Sequence, residues 1–409
     1  MLDQKTIDIV KSTVPVLEEH GENITKRFYQ LMFGNHPELL NIFNHANQKQ
    51  GRQQRALASA VYAAAKYIDN LEAILPVVSQ IAQKHRSLGI KPEHYPIVGK
   101  HLLLAIKDVL GDAATDDIMT AWEKAYGVIA DAFINLEKGL YDKAGTQDGG
   151  WEDFREFKVD KIVQESDVIK SFYFVPADGG KIASFIPGQY ISIRLKDIPG
   201  EQYSHIRQYS LSQCKDDSYY RISVKREDSI NDRPAGKVSS FLHTHVKEGD
   251  IVELSAPAGE FILEDQSEKP TVLLSGGVGI TPMFCMLQKL ADQEQKTTFI
   301  QAAINGNIHA FRDAVKEIEE NNESIDAYFC YEKPTELDRS EKHFDKEGYI
   351  TADWLNQLIS DKEAIVYMCG PVPFMQAMYE ALLEIGIKKD HIRYEFFGPS
   401  MQLKEPQTV

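Results

Sequence analysis

The 409-residue sequence predicts a multidomain fold: an all-α segment, an antiparallel β-barrel, and a doubly wound α/β segment with a parallel sheet. Three observations predict it. Apolar residues recur at helical spacing up to about residue 141, period-two alternation dominates after it, and short apolar runs alternate with helices towards the C-terminus. Because the chain is too long for one core, we expect domains at 1–141, 153–263 and 264–409, with a linker at 142–152.

Helices are expected at 37–43, 56–68, 76–88 and 116–141. Pro37 and Pro76 suit first helical turns, Gly89 ends one helix, and Thr115 can cap the last. Residues 145–150 carry no apolar side chain, which indicates a linker.

Strands of the barrel are expected at 157–163, 169–175, 190–195, 219–225 and 251–255, with one helix at 238–245. Strands of the parallel sheet are expected at 271–275, 298–303, 327–331, 364–369 and 392–394. Helices should follow Pro282 and Pro373, and another should begin at Phe311.

Composition excludes several classes of protein. The 61 acidic residues exceed the 45 basic ones, so no nucleic-acid partner is expected. No apolar run reaches the roughly 18 residues of a membrane span, and the first residues lack the apolar core of a signal peptide. The cysteines at 214, 285, 330 and 369 lack metal-ligand or disulfide spacing, which is typical of reduced thiols. We expect a cytoplasmic monomer.

A glycine-rich turn follows the strand at 271–275. Its glycines would let backbone amides approach a pyrophosphate at the start of the next helix. The turn and its continuation comprise Gly276, Gly277, Val278, Gly279, Ile280 and Thr281. It could instead only join strand to helix, but the Cys369-Gly370-Pro371 turn at the same sheet edge favours a nucleotide site.

A second motif, Arg207-Gln208-Tyr209-Ser210, fits a flavin. Arg207 can form a forked pair with phosphate, and Tyr209, on the same strand face, offers a flat surface to an isoalloxazine ring. Tyr190 ends a Pro-Gly-Gln-Tyr stretch before the motif, and the amides of 236–240 after it suit a phosphate. An ordinary strand with an exposed arginine is the alternative.

These motifs resemble the ferredoxin–NADP reductase superfamily over about residues 155–400. The resemblance implies that Tyr190 and the stretch 207–210 bind FAD, and that the turn at 276–281 binds NADH or NADPH. It also implies a role for the stretch Phe396-Phe397-Gly398-Pro399, in which Phe397 covers the flavin face until nicotinamide displaces it. Residues 302–307 lack a Ser-Arg pair, which favours NADH, but Arg312 nearby leaves NADPH open.

His85 follows Val78, Ile81 and Ala82 on one helix face, so it should point into the core. A lone histidine there is usually a packed side chain. Together with Tyr29, Phe43 and Gln53, however, it matches the globin pattern of distal residues, a haem-packing aromatic and a proximal iron ligand. The absence of a Cys-x-x-Cys-His motif indicates non-covalent haem b.

A globin followed by this reductase resembles a flavohaemoglobin over essentially the whole chain. The resemblance implies nitric oxide dioxygenation, in which NO and O2 give nitrate with electrons from NAD(P)H. When the family's site residues are carried over to this chain, His85 would bind iron and Tyr29 would donate a hydrogen bond to bound O2, with Gln53 beside it. Leu57 would limit the space in the pocket. A packed Tyr29 and a solvated Gln53 are the alternatives.

Glu137 lies beside the apolar face of the last helix and needs a partner if it is buried. The family match pairs it with His85 and Tyr95, which would give the imidazole anionic character and support redox chemistry. A solvated Glu137 is the alternative. Lys84 and Glu395 match family positions that tune the haem–flavin pair, but both could be ordinary surface charges.

Two other functions remain open from the sequence. An alkylhydroperoxide or quinone reductase could use the same electron path. An O2 or NO sensor would need an output module, which the sequence does not reveal, and a store would not need a flavin reductase.

Overall fold

The structure, a computed structural model, describes residues 2–214, 218–230, 234–265, 268–398 and 403. Its described residues fall into two compact units. The first comprises Met1–Arg155, Ser192–Arg207 and Glu253–Glu260, and the second Glu156–Ile191, Gln208–Val252 and Phe261–Val409. No helix in the described ranges is long and apolar enough to cross a membrane.

The N-terminal part is helical, as the three- and four-residue spacing of its apolar residues predicts. Its α-helices are α1 (Gln4–Ser12), α2 (Val14–Asn35), α3 (His45–Lys49), α4 (Arg52–Lys66), α5 (Leu75–Leu88), α6 (His94–Leu110) and α7 (Asp116–Thr146). Thr115 caps α7 by accepting from the amide of Ile118, and Gly89 ends α5 with φ of 78°. One apolar core joins α1, α2, α6 and α7.

Several helix bounds differ from the expectation. The helix expected at 37–43 is a 3₁₀ turn, Pro37–Asn41, and α3 was not foreseen. Helix α7 continues to Thr146, so the predicted linker at 142–152 begins inside it. Burial of Ala144 extends the helix past the point at which the polar pattern suggested its end. The division into domains stays a prediction.

Six strands form the antiparallel sheet: β1 (Phe154–Gln164), β2 (Ile169–Pro176), β3 (Tyr190–Leu195), β4 (His205–Ser210), β5 (Tyr220–Lys225) and β6 (Ile251–Ser255). Their order is β4-β3-β6-β1-β2-β5. An antiparallel bridge between Leu211 and Ile222 joins the continuation of β4 to β5, which closes the sheet into a barrel. Helix α8 (Lys237–Thr244) follows β5.

The C-terminal part alternates strands and helices: β7 (Thr271–Gly276), α9 (Ile280–Asp292), β8 (Thr297–Ala303), α10 (Arg312–Glu320), β9 (Ile325–Tyr331), α11 (Glu336–Ser340), β10 (Lys346–Glu347), α12 (Ala352–Leu358), β11 (Ile365–Cys369), α13 (Val372–Glu384) and β12 (Ile392–Glu395). The strand order β10-β9-β8-β7-β11-β12 is parallel throughout. Leu273 packs on one face of the sheet and its neighbours Val272 and Leu274 on the other. The doubly wound fold is confirmed, although α11, β10 and α12 were not foreseen.

Candidate functional site

A hydrogen-bonded triad joins three helices of the first unit. Nδ1 of His85 on α5 lies 2.7 Å from Oε1 of Glu137 on α7, and the Tyr95 hydroxyl on α6 donates to the same oxygen at 2.6 Å. Glu137 is only 3% exposed. The predicted partnership of these residues is therefore present, and a solvated Glu137 is excluded.

The triad fixes the tautomer of His85. Burial and the adjacent Glu137 carboxylate raise the pKa of Tyr95, so its hydroxyl stays a donor at physiological pH. Glu137 must then accept from both partners, which places the His85 proton on Nδ1. Nε2 keeps a lone pair and has no hydrogen-bond partner among the described residues, which is the state a metal-ligating imidazole requires.

His85 is less buried than its helix face suggested, because its side chain is 32% exposed. Its ring packs on Phe133 with 5.8 Å between centroids. The next residue, Arg86, is buried and donates to the carbonyls of Ala256 and Pro257, which ties α5 to the segment after β6 within the same unit. Lys84, on the other side of His85, is half-buried.

Tyr29 lies in an aromatic cluster beside α4. Its ring centroid is 5.6 Å from that of Phe33 and 5.9 Å from that of Phe43, and the residue is 6% exposed. Burial raises the pKa of Tyr29, and the neighbouring side-chain amides of Gln48 and Gln53 oppose this rise. The Tyr29 hydroxyl therefore stays protonated, so it can donate from a buried site lined by aromatic rings and two glutamine amides.

Two polar atoms near Tyr29 lack partners. Oε1 of Gln53 and Nε2 of Gln48 are buried without a hydrogen bond among the described residues. Buried polar atoms are normally satisfied, so these two indicate a site for a small polar ligand beside Tyr29. Leu57, one turn after Gln53, is half-buried and packs with the apolar core. Gln48 was missed because it lies on the unforeseen α3, outside any periodic pattern.

The flavin motif occupies β4, which agrees with its placement on a strand, although 205–210 was not among the strands expected from alternation. Ser210 is buried, whereas Arg207, Gln208 and Tyr209 are half-buried. Nη1 of Arg207 donates to the carbonyl of Ile206, and Nε2 of Gln208 is buried without a partner among the described residues. Such an orphaned donor fits a polar ring edge or a phosphate. Tyr190 begins β3 and is half-buried.

The two glycine turns meet at the carboxyl edge of the parallel sheet. A Cβ on Gly279 would lie 2.1 Å from the carbonyl oxygen of Cys369, and Gly277 has φ of 55°. Only glycine permits that approach and that backbone conformation. A Cβ added to Gly276 or to Gly370 would lie within 3.0 Å of the ring of Phe374. Phe374 was not foreseen, because a lone aromatic at the start of a helix carries no motif signal.

The turn at 276–281 offers backbone groups, rather than side chains, to a ligand. Ile280 and Thr281 are buried, and the Thr281 hydroxyl donates to the carbonyl of half-buried Val278. After β8, Oδ1 of Asn305 is buried without a partner in the described part of the chain. The arrangement fits a dinucleotide whose phosphates face backbone amides.

The C-terminal aromatic segment follows β12. Glu395 pairs with Cys369 in the parallel ladder, and Phe396 packs against Tyr394 with 5.5 Å between centroids. Phe397 is 49% exposed, and the amide of Gly398 donates to the carbonyl of Phe396. An exposed ring here agrees with a covering role. Pro399 lies outside the described residues.

Comparisons with known proteins identify two matching families. The globin family matches residues 26–133, and the oxidoreductase NAD-binding domain family matches residues 273–380. The first range contains the Tyr29 cluster together with His85 and Tyr95, whereas Glu137, the third member of the triad, lies four residues beyond it. The second range contains both glycine turns.

Curated relatives match nearly the whole chain. A flavohemoprotein from Bacillus cereus is 59% identical over 406 residues, which are 99% of this chain and 100% of the relative. A flavohemoprotein from Bacillus subtilis is 53% identical over 408 residues, with 99% and 100% covered.

Two solved structures share the architecture. A flavohemoglobin from Malassezia yamatoensis with bound FAD and haem has a TM-score of 0.84 at 30% identity, with 97% of this chain and 100% of that chain covered. The FAD/NAD-binding domain of a nitric oxide dioxygenase from Vibrio cholerae has a TM-score of 0.55 at 39% identity, with 60% and 99% covered.

Proposed function

This chain belongs to the flavohaemoprotein family, and we infer that it is a nitric oxide dioxygenase that converts NO and O2 to nitrate with electrons from NADH or NADPH. Its cofactors are b-type haem and FAD. When bound, FAD accepts hydride from the nicotinamide and releases single electrons, and haem supplies the iron at which O2 is activated.

The observation that carries this function is the His85–Glu137–Tyr95 triad. Nε2 of His85 would hold the iron, while the carboxylate of Glu137 holds the Nδ1 proton. A histidine that shares its proton with a carboxylate becomes a stronger electron donor, which favours redox chemistry over reversible storage of O2. Tyr95 positions the carboxylate by donating to the same oxygen.

The distal side would be formed by Tyr29, Gln53 and Gln48. The Tyr29 hydroxyl would donate to the substrate O2, and the unsatisfied amide groups of the two glutamines would orient it or exclude water. Phe43 would pack on the haem, and Leu57 would limit the space for ligands. These roles are proposals that rest on burial and hydrogen bonding.

The reductase residues would bind the other two groups. Arg207 and Ser210 with Tyr209 would hold FAD along β4, assisted by Gln208 and Tyr190. The amides of 276–281 would bind the pyrophosphate of the nicotinamide nucleotide. Phe397, with Phe396 and Gly398 beside it, would cover the flavin, and Lys84 and Glu395 would adjust the haem and flavin environments. The family resemblance implies that Pro399 belongs to the same cofactor-binding stretch.

The decisive experiment uses purified protein with both cofactors. NO is added to the oxygenated protein with NADH, and nitrate is measured against NADH consumed. We expect two nitrates for each NADH, because one hydride carries two electrons and each NO needs one. Oxidation of NADH without nitrate, but with loss of an added alkylhydroperoxide or quinone, would instead support the reductase alternative.

We further propose a monomer in the cytoplasm that uses NADH in preference to NADPH. The four cysteines are free thiols, which is typical of a reducing compartment. Residues 302–307 offer no basic side chain for a 2′-phosphate, although Arg312 begins α10 close by. Sedimentation and the ratio of kcat/KM for the two nucleotides test these proposals.

A further inference from the structure

A second cluster of metal-binding side chains lies in the first unit, apart from the His85 triad. One carboxylate oxygen of Glu201 and one ring nitrogen each of His45 and His205 lie within 4.8 Å of one another. His45 begins α3, Glu201 precedes β4, and His205 begins β4. We propose that these three residues bind a divalent cation of the zinc class.

The buried member of the cluster points to a ligand. The His205 side chain is 1% exposed, and its Nε2 lies 3.0 Å from Oε2 of Glu201. Its Nδ1 is buried without a partner in the described ranges. Because Nε2 is the nitrogen that faces Glu201, a cation shared with that carboxylate would bind Nε2, take the place of this hydrogen bond and leave the ring proton on Nδ1.

His45 is oriented as metal-ligating histidines usually are. Its Nε2 lies 2.7 Å from the carbonyl oxygen of Leu40, to which it can donate. Such a bond to a backbone carbonyl fixes the tautomer and leaves a lone pair on Nδ1. Its ring centroid is 4.9 Å from that of His205, with the two rings packed edge to face at an interplanar angle of 61°.

The donor set selects the ion. Two imidazoles and one carboxylate suit Zn²⁺, with ligand distances of about 2.0–2.2 Å and a fourth position for water. A hard cation such as Mg²⁺ prefers oxygen ligands and near-octahedral geometry. The ion would connect α3, which carries Gln48, to β4, which carries Arg207 two residues after His205. The inference does not depend on the proposed function.

The test is calorimetric titration of the haem- and FAD-loaded protein with zinc chloride against a competing chelator. We expect one site, weakened about 100-fold or more in His45→Asn and in Glu201→Gln, because even indirect partners of a metal contribute 10- to 100-fold. The matched control is His36→Asn, since His36 also pairs with a glutamate, Glu38, at 3.0 Å but belongs to no group of three close metal-ligand atoms among the described residues.

X-ray absorption at the zinc edge gives a second readout that haem does not obscure. We expect nitrogen and oxygen neighbours with the imidazole signature of two histidines in the wild type, and its loss in Glu201→Gln or His45→Asn. Sulfur neighbours would place zinc on a cysteine and overturn the proposal. Equal affinity in the wild type, both variants and the control would overturn it as well. Circular dichroism and the Soret band establish that each variant is folded.

Discussion

The substitution Glu137→Gln examines the most informative contact of the molecule. The carboxylate accepts from Nδ1 of His85 at 2.7 Å and from the hydroxyl of Tyr95 at 2.6 Å, in a position that is 3% exposed. An amide of nearly the same size keeps the packing but accepts more weakly. We therefore expect haem to stay bound while His85 becomes a weaker electron donor to the iron.

The magnitude follows from the loss of charge assistance. Charge-assisted hydrogen bonds are about twice as strong as neutral ones, and the difference here is about 1.5 kcal/mol. If that difference falls mainly on the oxidised iron, the one-electron potential rises by about 60 mV. The iron–histidine stretching frequency of the deoxy protein should fall. Tyr95→Phe should give a weaker change of the same sign, because Tyr95 only positions the carboxylate.

Resonance Raman spectroscopy and spectroelectrochemical titration measure the two quantities directly. The control is Glu123→Gln, an exposed glutamate on the same helix, which should leave both unchanged. An unshifted iron–histidine band in Glu137→Gln would refute the reasoning, since it would mean that the carboxylate does not polarise the proximal histidine.

The other substitutions separate the modules. Tyr29→Phe should speed O2 dissociation about 10- to 100-fold, since it removes a hydrogen bond of about 1.5–3 kcal/mol, and an unchanged stopped-flow off-rate would show that Tyr29 does not face the ligand. His85→Ala should lose haem yet keep NADH-dependent reduction of an artificial acceptor. Loss of that reduction in folded, FAD-loaded protein would contradict a flavin reductase that works independently of the haem. Phe397→Ala should alter the rate of flavin reduction by NADH and NADPH while FAD stays bound. The control Tyr349→Ala, which removes an aromatic that is 70% exposed, should leave these rates unchanged. Identical rates in Phe397→Ala and the wild type would exclude a covering role for Phe397.

The sequence by itself determined the order of the three folds and most of their elements. Hydrophobic periodicity changes from helical spacing to period two and then to alternation, and each pattern has one dominant structural solution. Strands β3 and β6 have the predicted bounds, 190–195 and 251–255. The glycines at 276, 277 and 279 were recognisable because a close backbone approach excludes other residues at such positions.

The family resemblance, rather than periodicity, singled out Tyr29, Gln53 and Glu137. Their types are common, and a glutamate beside an apolar helix face is compatible with solvent until its partner is known. The resemblance could supply that partner because a ligand site constrains residues that lie far apart in the chain.

Only the tertiary structure decided which side chains meet. It brought Glu137 to His85 across 52 positions, placed Gln48 beside Tyr29, and joined His45 to Glu201 and His205. The same packing extended α7 to Thr146 by burying Ala144, where the local polar pattern indicated a linker. The physical reason is that a sequence pattern records the average environment of an element, whereas hydrogen bonds between distant elements depend on how their faces pack.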